Sequence, residues 1–355
     1  MNNDRIQEIL DLMEEARLDY FLISDPQSIA YCTGYYNDPH ERMFVFMISK
    51  HGNHTLFMND LFYLDHDLDV NIVWHKDGQD AIQTIVDEMH FPGRIGIDKN
   101  WASHFLLDLM KKLPDAKYIN ASPCVDLVRM KKDLQEQVLM IESSKINDAV
   151  MEEIIPFIQE GVTEKQLAKK LDELFFKHHS TCYGAIVAFG KNAADPHHEN
   201  DDTLLRKGDC VLIDMGCVYK GYCSDMTRTF FYEGILEEEI KVYEIVKKSN
   251  EAAEAMIKPG VKLSDIDKCA RKVISDEGYG KYFTHRLGHF IGRDVHEYGD
   301  VSSVNEMKVE EGMIFSIEPG IYLEGNFGVR VEDLVMVTKD GCQVLNSFTK
   351  DIYII

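Results

Sequence analysis

The chain has 355 residues, 45% of them hydrophobic, and its 38 basic and 61 acidic side chains leave a net charge of −23. That length accommodates two domains with sizeable cores, and the acidity argues against nucleic acid or an anionic membrane surface as a partner. No apolar run approaches the roughly 18 residues that a membrane span requires.

The first twenty residues carry acids where a signal peptide needs a basic patch followed by an apolar stretch, so the expected location is the cytoplasm. Eight cysteines are scattered without a C-x-x-C pair, which fits a reduced set rather than a disulfide framework or a zinc knuckle. Residues 6–16 are amphipathic at helical spacing. Residues 20–24, 43–48, 54–58, 70–74 and 94–97 read as short strands, with helices over 80–89 and 104–113. This alternation predicts an α/β layer domain over residues 1–130. It contains no Gly-rich phosphate loop, so a nucleotide site is not expected.

A long helix follows, with Asp133 as N-cap and Glu136 completing a capping box. Leu134, Val138, Ile141, Val150, Ile154 and Phe157 recur mostly at helical spacing, which predicts its buried face, and Gly161 stops it. Thr163 and Gln166 open a second helix in the same way. Strands are expected around 185–189, 210–217, 223–232, 313–322 and 328–338, with helices over 236–257 and 263–277. Residues 131–355 therefore read as an α+β domain built on antiparallel hairpins. Taking Tyr219–Lys220 as a two-residue loop sets Asp214 opposite Asp225; a turn centred on Gly325 sets Glu318 opposite Glu332.

Those four carboxylates, with His289, stand in strand-like apolar surroundings. Burying a carboxylate there is costly unless a positive charge neutralises it. Four oxygen donors and one imidazole suit manganese, zinc, cobalt or iron better than a thiolate-seeking metal. Asp214, Asp225, His289, Glu318 and Glu332 are thus the candidate ligands for two metal ions.

The segments that carry them match a family in order and spacing. GDCVLIDMGCVYKGYCSDMTRTF, THRLGHFIGRDVHE, GMIFSIEPGIY and GVRVEDLVMVT resemble the successive signatures of the pita-bread metallopeptidases, and AFGKNAADPHHEN resembles one further upstream. The likeness runs from about residue 133 to the last residues. Residues 1–130 resemble the smaller domain of prolidases, aminopeptidases P and creatinases. The resemblance implies a creatinase-like α/β N-terminal domain and an α+β pita-bread catalytic domain.

It also implies roles. Asp214 would chelate one metal, Asp225 and Glu332 would bridge both, and His289 and Glu318 would complete the second; Glu318 would shuttle protons. His197 and His296 match the histidines that hold substrate and steady the tetrahedral intermediate. Arg330 matches an arginine near the bridging carboxylates. His198 and His285 are weaker candidates; His178 and His179 read as helix-end or surface residues. The family often has Gly and an apolar residue where this chain has Phe290 and Arg293. Phe290 is expected to narrow the pocket wall, and Arg293 to hold the free carboxylate of a dipeptide. The segment 38–42, with Asp38, His40, Glu41 and Arg42, resembles a loop that reaches the partner's active site in dimeric bacterial prolidases.

The expected activity is dinuclear-metal hydrolysis of the bond before proline in Xaa-Pro dipeptides, by a cytoplasmic homodimer acting on small peptides. Manganese is the first choice of metal, with cobalt or zinc as alternatives. The alternative enzyme is an aminopeptidase P acting on longer Xaa-Pro peptides. A metal-free creatinase-like C–N hydrolase and a non-catalytic peptide-binding module are weaker readings, because both classes lack the full ligand set.

Overall fold

The computed structural model describes residues 1–64, 67–90 and 92–355. The chain divides into two compact units, Met1–Arg129 and Met130–Ile355. In the first, six strands form one mixed sheet: β1 (Tyr20–Ile23), β2 (Val45–Ser49), β3 (Thr55–Asn59), β4 (Asn71–His75), β5 (Arg94–Ile97) and β6 (Lys117–Asn120), in the order β4-β3-β2-β1-β5-β6. Its helices are α1 (Asn3–Glu15), α2 (Pro26–Thr33), α3 (Ala81–Glu88), α4 (Ser103–Lys112) and α5 (Ser122–Met130).

Alternation along the strands makes this a three-layer unit. Phe21, Ile23, Phe46 and Ile48 pack with Ile6 and Ile9 of α1 and Val125 of α5. Tyr20, Leu22, Val45 and Met47 belong to the opposite cluster, with Ile82 of α3 and Leu109 of α4. Each fully buried large apolar side chain contributes about 1.5–3 kcal/mol. Helix α2 was not expected from periodicity. Asp25 caps it by accepting from the Ser28 amide at 2.8 Å, Pro26 opens it, and Gly34 at φ 82° closes it. In the charged segment that follows, Arg42 forks onto Asp77 at 3.0 and 2.9 Å.

The second unit holds α6 (Leu134–Ile154), α7 (Glu164–Lys177), α8 (Glu237–Met256) and α9 (Leu263–Asp276). Strands β7 (Thr181–Cys182), β8 (Ile186–Phe189), β9 (Cys210–Met215), β10 (Cys217–Tyr219), β11 (Tyr222–Cys223) and β12 (Met226–Phe231) form two small sheets, β11-β10-β7 and β12-β9-β8. Strand β13 (Gly288–His289) pairs with β14 (Asp300–Val301). Strands β15 (Ile314–Ile317), β16 (Gly320–Leu323), β17 (Phe327–Arg330), β18 (Asp333–Val337) and β19 (Cys342–Val344) complete the unit. The pairings between these strands are antiparallel, and an isolated parallel bridge joins Phe231 to Ile354.

Both capping boxes form, at Asp133–Glu136 and Thr163–Gln166. The buried face of α6 differs from the expected one. It runs through Met140, Ser143, Asn147, Val150 and Ile154, while Leu134, Val138 and Phe157 are exposed. Buried polar groups explain the shift, since the Asn147 amide donates to the Met215 carbonyl at 3.0 Å. Val211, Ile213 and Met215 of β9 pack against α6 and α7, which turns Leu212 and Asp214 to the other face. Among the described residues, no helix is long and apolar enough to cross a membrane.

Candidate active site

Two hairpins bring the carboxylates together. In the first, Tyr219 pairs with Tyr222, so the turn is Lys220–Gly221, with φ of 49° and 83°. Two successive positive φ values make the primed turn that suits strand twist, and Gly supplies one of them without strain. The expected register is thereby corrected: Asp214 faces Thr227, not Asp225. The slip is by two residues, which preserves the face, and both aspartates line one cavity. In the second hairpin Gly320 pairs with Arg330, the register centred on Gly325. Glu318 and Glu332 stand just beyond its paired ends. The buried Asn250 of α8 ties the two ends together, donating to the Ile317 carbonyl at 2.9 Å and the Val331 carbonyl at 3.4 Å.

The cavity has a volume of about 650 Å³. All five candidate ligands line it, with His197, His296 and Arg330. Ligand atoms of Asp225, His289 and Glu332 lie within 4.8 Å of one another. The His289 Nε2 stands 3.6 Å from Asp225 Oδ2 and 3.5 Å from Glu318 Oε1, separations too long for strong hydrogen bonds. Its Nδ1 donates to the Phe290 carbonyl at 3.2 Å, which turns the Nε2 lone pair toward the carboxylates. The Ser316 hydroxyl accepts from the His289 amide at 3.0 Å and donates to Glu318 Oε1 at 3.1 Å.

Charge repulsion is written into this arrangement. Burial, opposed by Arg330 and reinforced by Asp225 and Glu318, raises the Asp214 carboxyl to about 7. Burial also raises Glu318, and it raises Glu332 well above the ordinary range with the neighbouring carboxylates adding to the effect. His289 is raised by its carboxylate neighbours against the opposing effect of burial. Arg330, almost fully buried, donates to Asp214 Oδ2 at 2.7 Å, Tyr322 Oη at 3.0 Å and Thr227 Oγ1 at 3.0 Å. Thr227 passes the interaction on, donating to Glu332 Oε2 at 2.6 Å. One guanidinium and one imidazole among four carboxylates leave a donor set that fits divalent cations.

The histidines divide by environment. The rings of His289 and His296 meet edge to face, 4.3 Å apart. Burial and its cationic neighbours lower His296 to about 4, so it is neutral at pH 7. His285 also lines the cavity and is lowered to about 4, chiefly by burial; its Nε2 lies 2.8 Å from the Tyr322 hydroxyl. His198 turns instead to Glu164, at 2.6 Å. His178 caps α7 and meets Glu153 at 3.0 Å.

Two expectations are corrected. Arg293 is not part of the cavity wall: its guanidinium lies over the Tyr222 ring, 5.5 Å from the centroid, and its amide donates to Glu297 at 2.9 Å. Phe290 does not narrow the pocket either. It is fully buried with its ring 5.4 Å from that of Phe315. Besides Arg330, the cavity is lined by Arg286, and Tyr183 lines it too, donating to the Ser224 carbonyl at 2.7 Å. Sequence reasoning missed both. Arg286 lies within the THRLGH segment, but only the folded chain turns it toward the cavity.

Comparison with known proteins agrees with this architecture. Residues 138–339 match the model of metallopeptidase family M24, and residues 5–131 match the creatinase/prolidase N-terminal domain. An uncharacterized peptidase of Staphylococcus aureus is 34% identical, covering 98% of this chain and 99% of its own length. A dipeptidase from Pyrococcus horikoshii is similar in structure, with a TM-score of 0.92, 34% identity, and coverage of 99% of this chain and 100% of its own. A prolidase from Thermococcus sibiricus gives 0.94 at 31% identity, with 100% of each chain covered. The chain therefore belongs to metallopeptidase family M24, as a pita-bread peptidase with a creatinase/prolidase N-terminal domain.

Proposed function

We propose that this peptidase hydrolyses Xaa-Pro dipeptides with two divalent ions, manganese first, held by Asp214, Asp225, His289, Glu318 and Glu332. The observation that carries the reading is the convergence of four carboxylates and one imidazole on a single cavity. When bound, the ions supply Lewis-acid polarisation of the scissile carbonyl and acidify a water. Glu318 takes the proton from the attacking water and delivers it to the departing nitrogen. Proline makes that nitrogen a tertiary amide without an N–H, so protonation as the bond breaks is essential. His197 and the neutral His296 donate hydrogen bonds to the substrate and to the oxygen on which charge develops. Arg330 stays on Asp214 and, through Thr227, keeps Glu332 oriented.

The cavity size supports a small ligand. Tyr183, Ile186 and Val295 supply apolar wall, and Arg286 takes the free carboxylate in place of Arg293. We place the enzyme in the cytoplasm and read it as a homodimer, the latter supported by the exposed Tyr36, Leu61 and Tyr63 near segment 38–42.

The test is exhaustive chelation, metal analysis, reconstitution with manganese, cobalt or zinc, and assay of an Xaa-Pro dipeptide beside an Xaa-Pro-Yaa tripeptide. Activity is expected only with metal and chiefly on the dipeptide. Full activity of metal-free protein refutes the metal reading, and preference for the tripeptide moves the enzyme to aminopeptidase P. Asp225→Asn is expected to lose metal and activity together. A charged hydrogen bond of about 1.5–3 kcal/mol makes Arg286→Ala raise KM for the dipeptide roughly ten-fold or more, but not for its amide. Arg293→Ala is expected to leave that KM unchanged.

A further inference from the structure

We propose that Glu164 and His198 form a positioning pair that sets where His197 stands over the cavity. His198 then acts through its neighbour, without touching substrate. The inference rests on the reading of His197 as a substrate contact.

Glu164 is the first residue of α7, immediately after its Thr163 cap, and it is fully buried. Its Oε1 accepts from the Phe189 amide and the Asn192 side chain, each at 2.9 Å. Its Oε2 accepts from His198 Nε2 at 2.6 Å and the Asp201 amide at 3.0 Å. A carboxylate has about four lone-pair sites, so four donors fill it. That excludes a metal there, although Glu164, His198 and Asp201 stand close enough together to invite one.

The donors come from both ends and the middle of one segment, residues 189–201. One carboxylate thus gathers this segment around itself. The consecutive histidines divide the work: His197 lines the cavity and His198 points back to the anchor. On the other side of His197, the Pro196 carbonyl reaches Arg330 Nη1 at 3.5 Å. The His197 amide itself donates to Asp195 Oδ1 at 3.0 Å within the segment, and the nearest tie from His197 to α7 is the one through His198. Three donors remain on Glu164 without the imidazole, so the fold is expected to survive its loss while the placement of His197 does not. Errors of about 1 Å in a positioning group can cost on the order of a hundred-fold in rate.

A double-mutant cycle tests this: His197→Ala, His198→Ala and the double variant, with metal content, melting temperature, kcat and KM measured on an Xaa-Pro dipeptide. His198→Ala is expected to lower kcat roughly ten-fold or more, with metal content unchanged. His198→Gln, which keeps a side-chain N–H donor, should recover most of that loss. In the His197→Ala background, His198→Ala should have less than about a two-fold effect, because coupled residues are not additive. Additive losses, or full activity of His198→Ala, overturn the proposal. If His197→Ala is itself fully active, the reading of His197 falls and the pair falls with it; an impaired His197→Ala with additive losses overturns the pair alone. Should His198→Ala not fold, the same cycle with Glu164→Gln decides the matter.

Discussion

Thr227→Val is the sharpest probe of how the carboxylates are held. Thr227 is fully buried; its hydroxyl donates to Glu332 Oε2 at 2.6 Å and accepts from Arg330 Nε at 3.0 Å. Valine has nearly the same shape but neither function, so two separable losses follow. Leaving the buried Arg330 Nε–H unsatisfied costs about 1–3 kcal/mol with or without metal. For a domain of this size that lowers Tm by about 2–4 °C per kcal/mol. The second loss falls on Glu332. Burial and the neighbouring carboxylates push its carboxyl well up in the metal-free protein, so its ionised form is the one that leans most on this donor. Ionised beside a metal, it needs one. A charged hydrogen bond of about 1.5–3 kcal/mol then translates into a ten- to hundred-fold weaker metal affinity, the range expected for partners that orient ligands. Calorimetric titration with manganese against a competing chelator, beside melting of the metal-free protein, separates the two effects. A variant that melts lower without metal yet binds manganese as tightly as the parent would refute the role given to Glu332.

Other outcomes follow from features around the site. Lys132 and Glu297 form a buried pair at 2.9 Å beside His296, and Lys132→Met is expected to cost about 3–5 kcal/mol in denaturant unfolding; a loss below about 1 kcal/mol contradicts that. In metal-free protein the raised carboxyls make the folded state bind more protons than the unfolded one. Their stabilising contribution is full below the unfolded carboxylate range and is lost as pH rises through about 7. Melting of chelated protein should therefore fall from about pH 4 to about pH 7 and recover with metal, and a rising profile over that range contradicts the assignment. A Cβ on Gly328 would meet the Ala193 carbonyl oxygen at 1.9 Å. Gly328→Ala is thus expected to push on the segment carrying His197, costing about 1–3 kcal/mol and lowering kcat; unchanged kcat rules out that linkage.

The sequence made local signals legible and left tertiary ones hidden. Asp133 with Glu136, and Thr163 with Gln166, announce their helices because the interacting groups lie three residues apart. The five ligand candidates stood out because carboxylates in apolar strands are costly without a partner. Helix α2 carried Asp25, Pro26 and Gly34 as its own markers, but six of its eight residues are buried, so no apolar stripe revealed it. The face of α6 misled because its buried side is partly polar, satisfied by contacts with strands far along the chain. The hairpin register turned on whether Lys220 closes or opens a two-residue turn. Arg293 and Arg286 are both arginines beside a ligand candidate, and only the folded backbone decides which one faces the cavity.

The tight turn at Lys220–Gly221 also constrains how this protein can change in length. It has no spare residue, and Asp214 and Asp225 stand on opposite sides of it. Adding or removing one residue there would reverse the face of everything beyond, sending Asp225 toward the helices and its apolar neighbour Met226 into the cavity. A change of two keeps every side chain on its own face and disturbs only the turn. Peptidases that share this chemistry are therefore expected to vary at this point by even numbers of residues, so that a length difference between two such chains, read without any structure, reports whether the cage can still close.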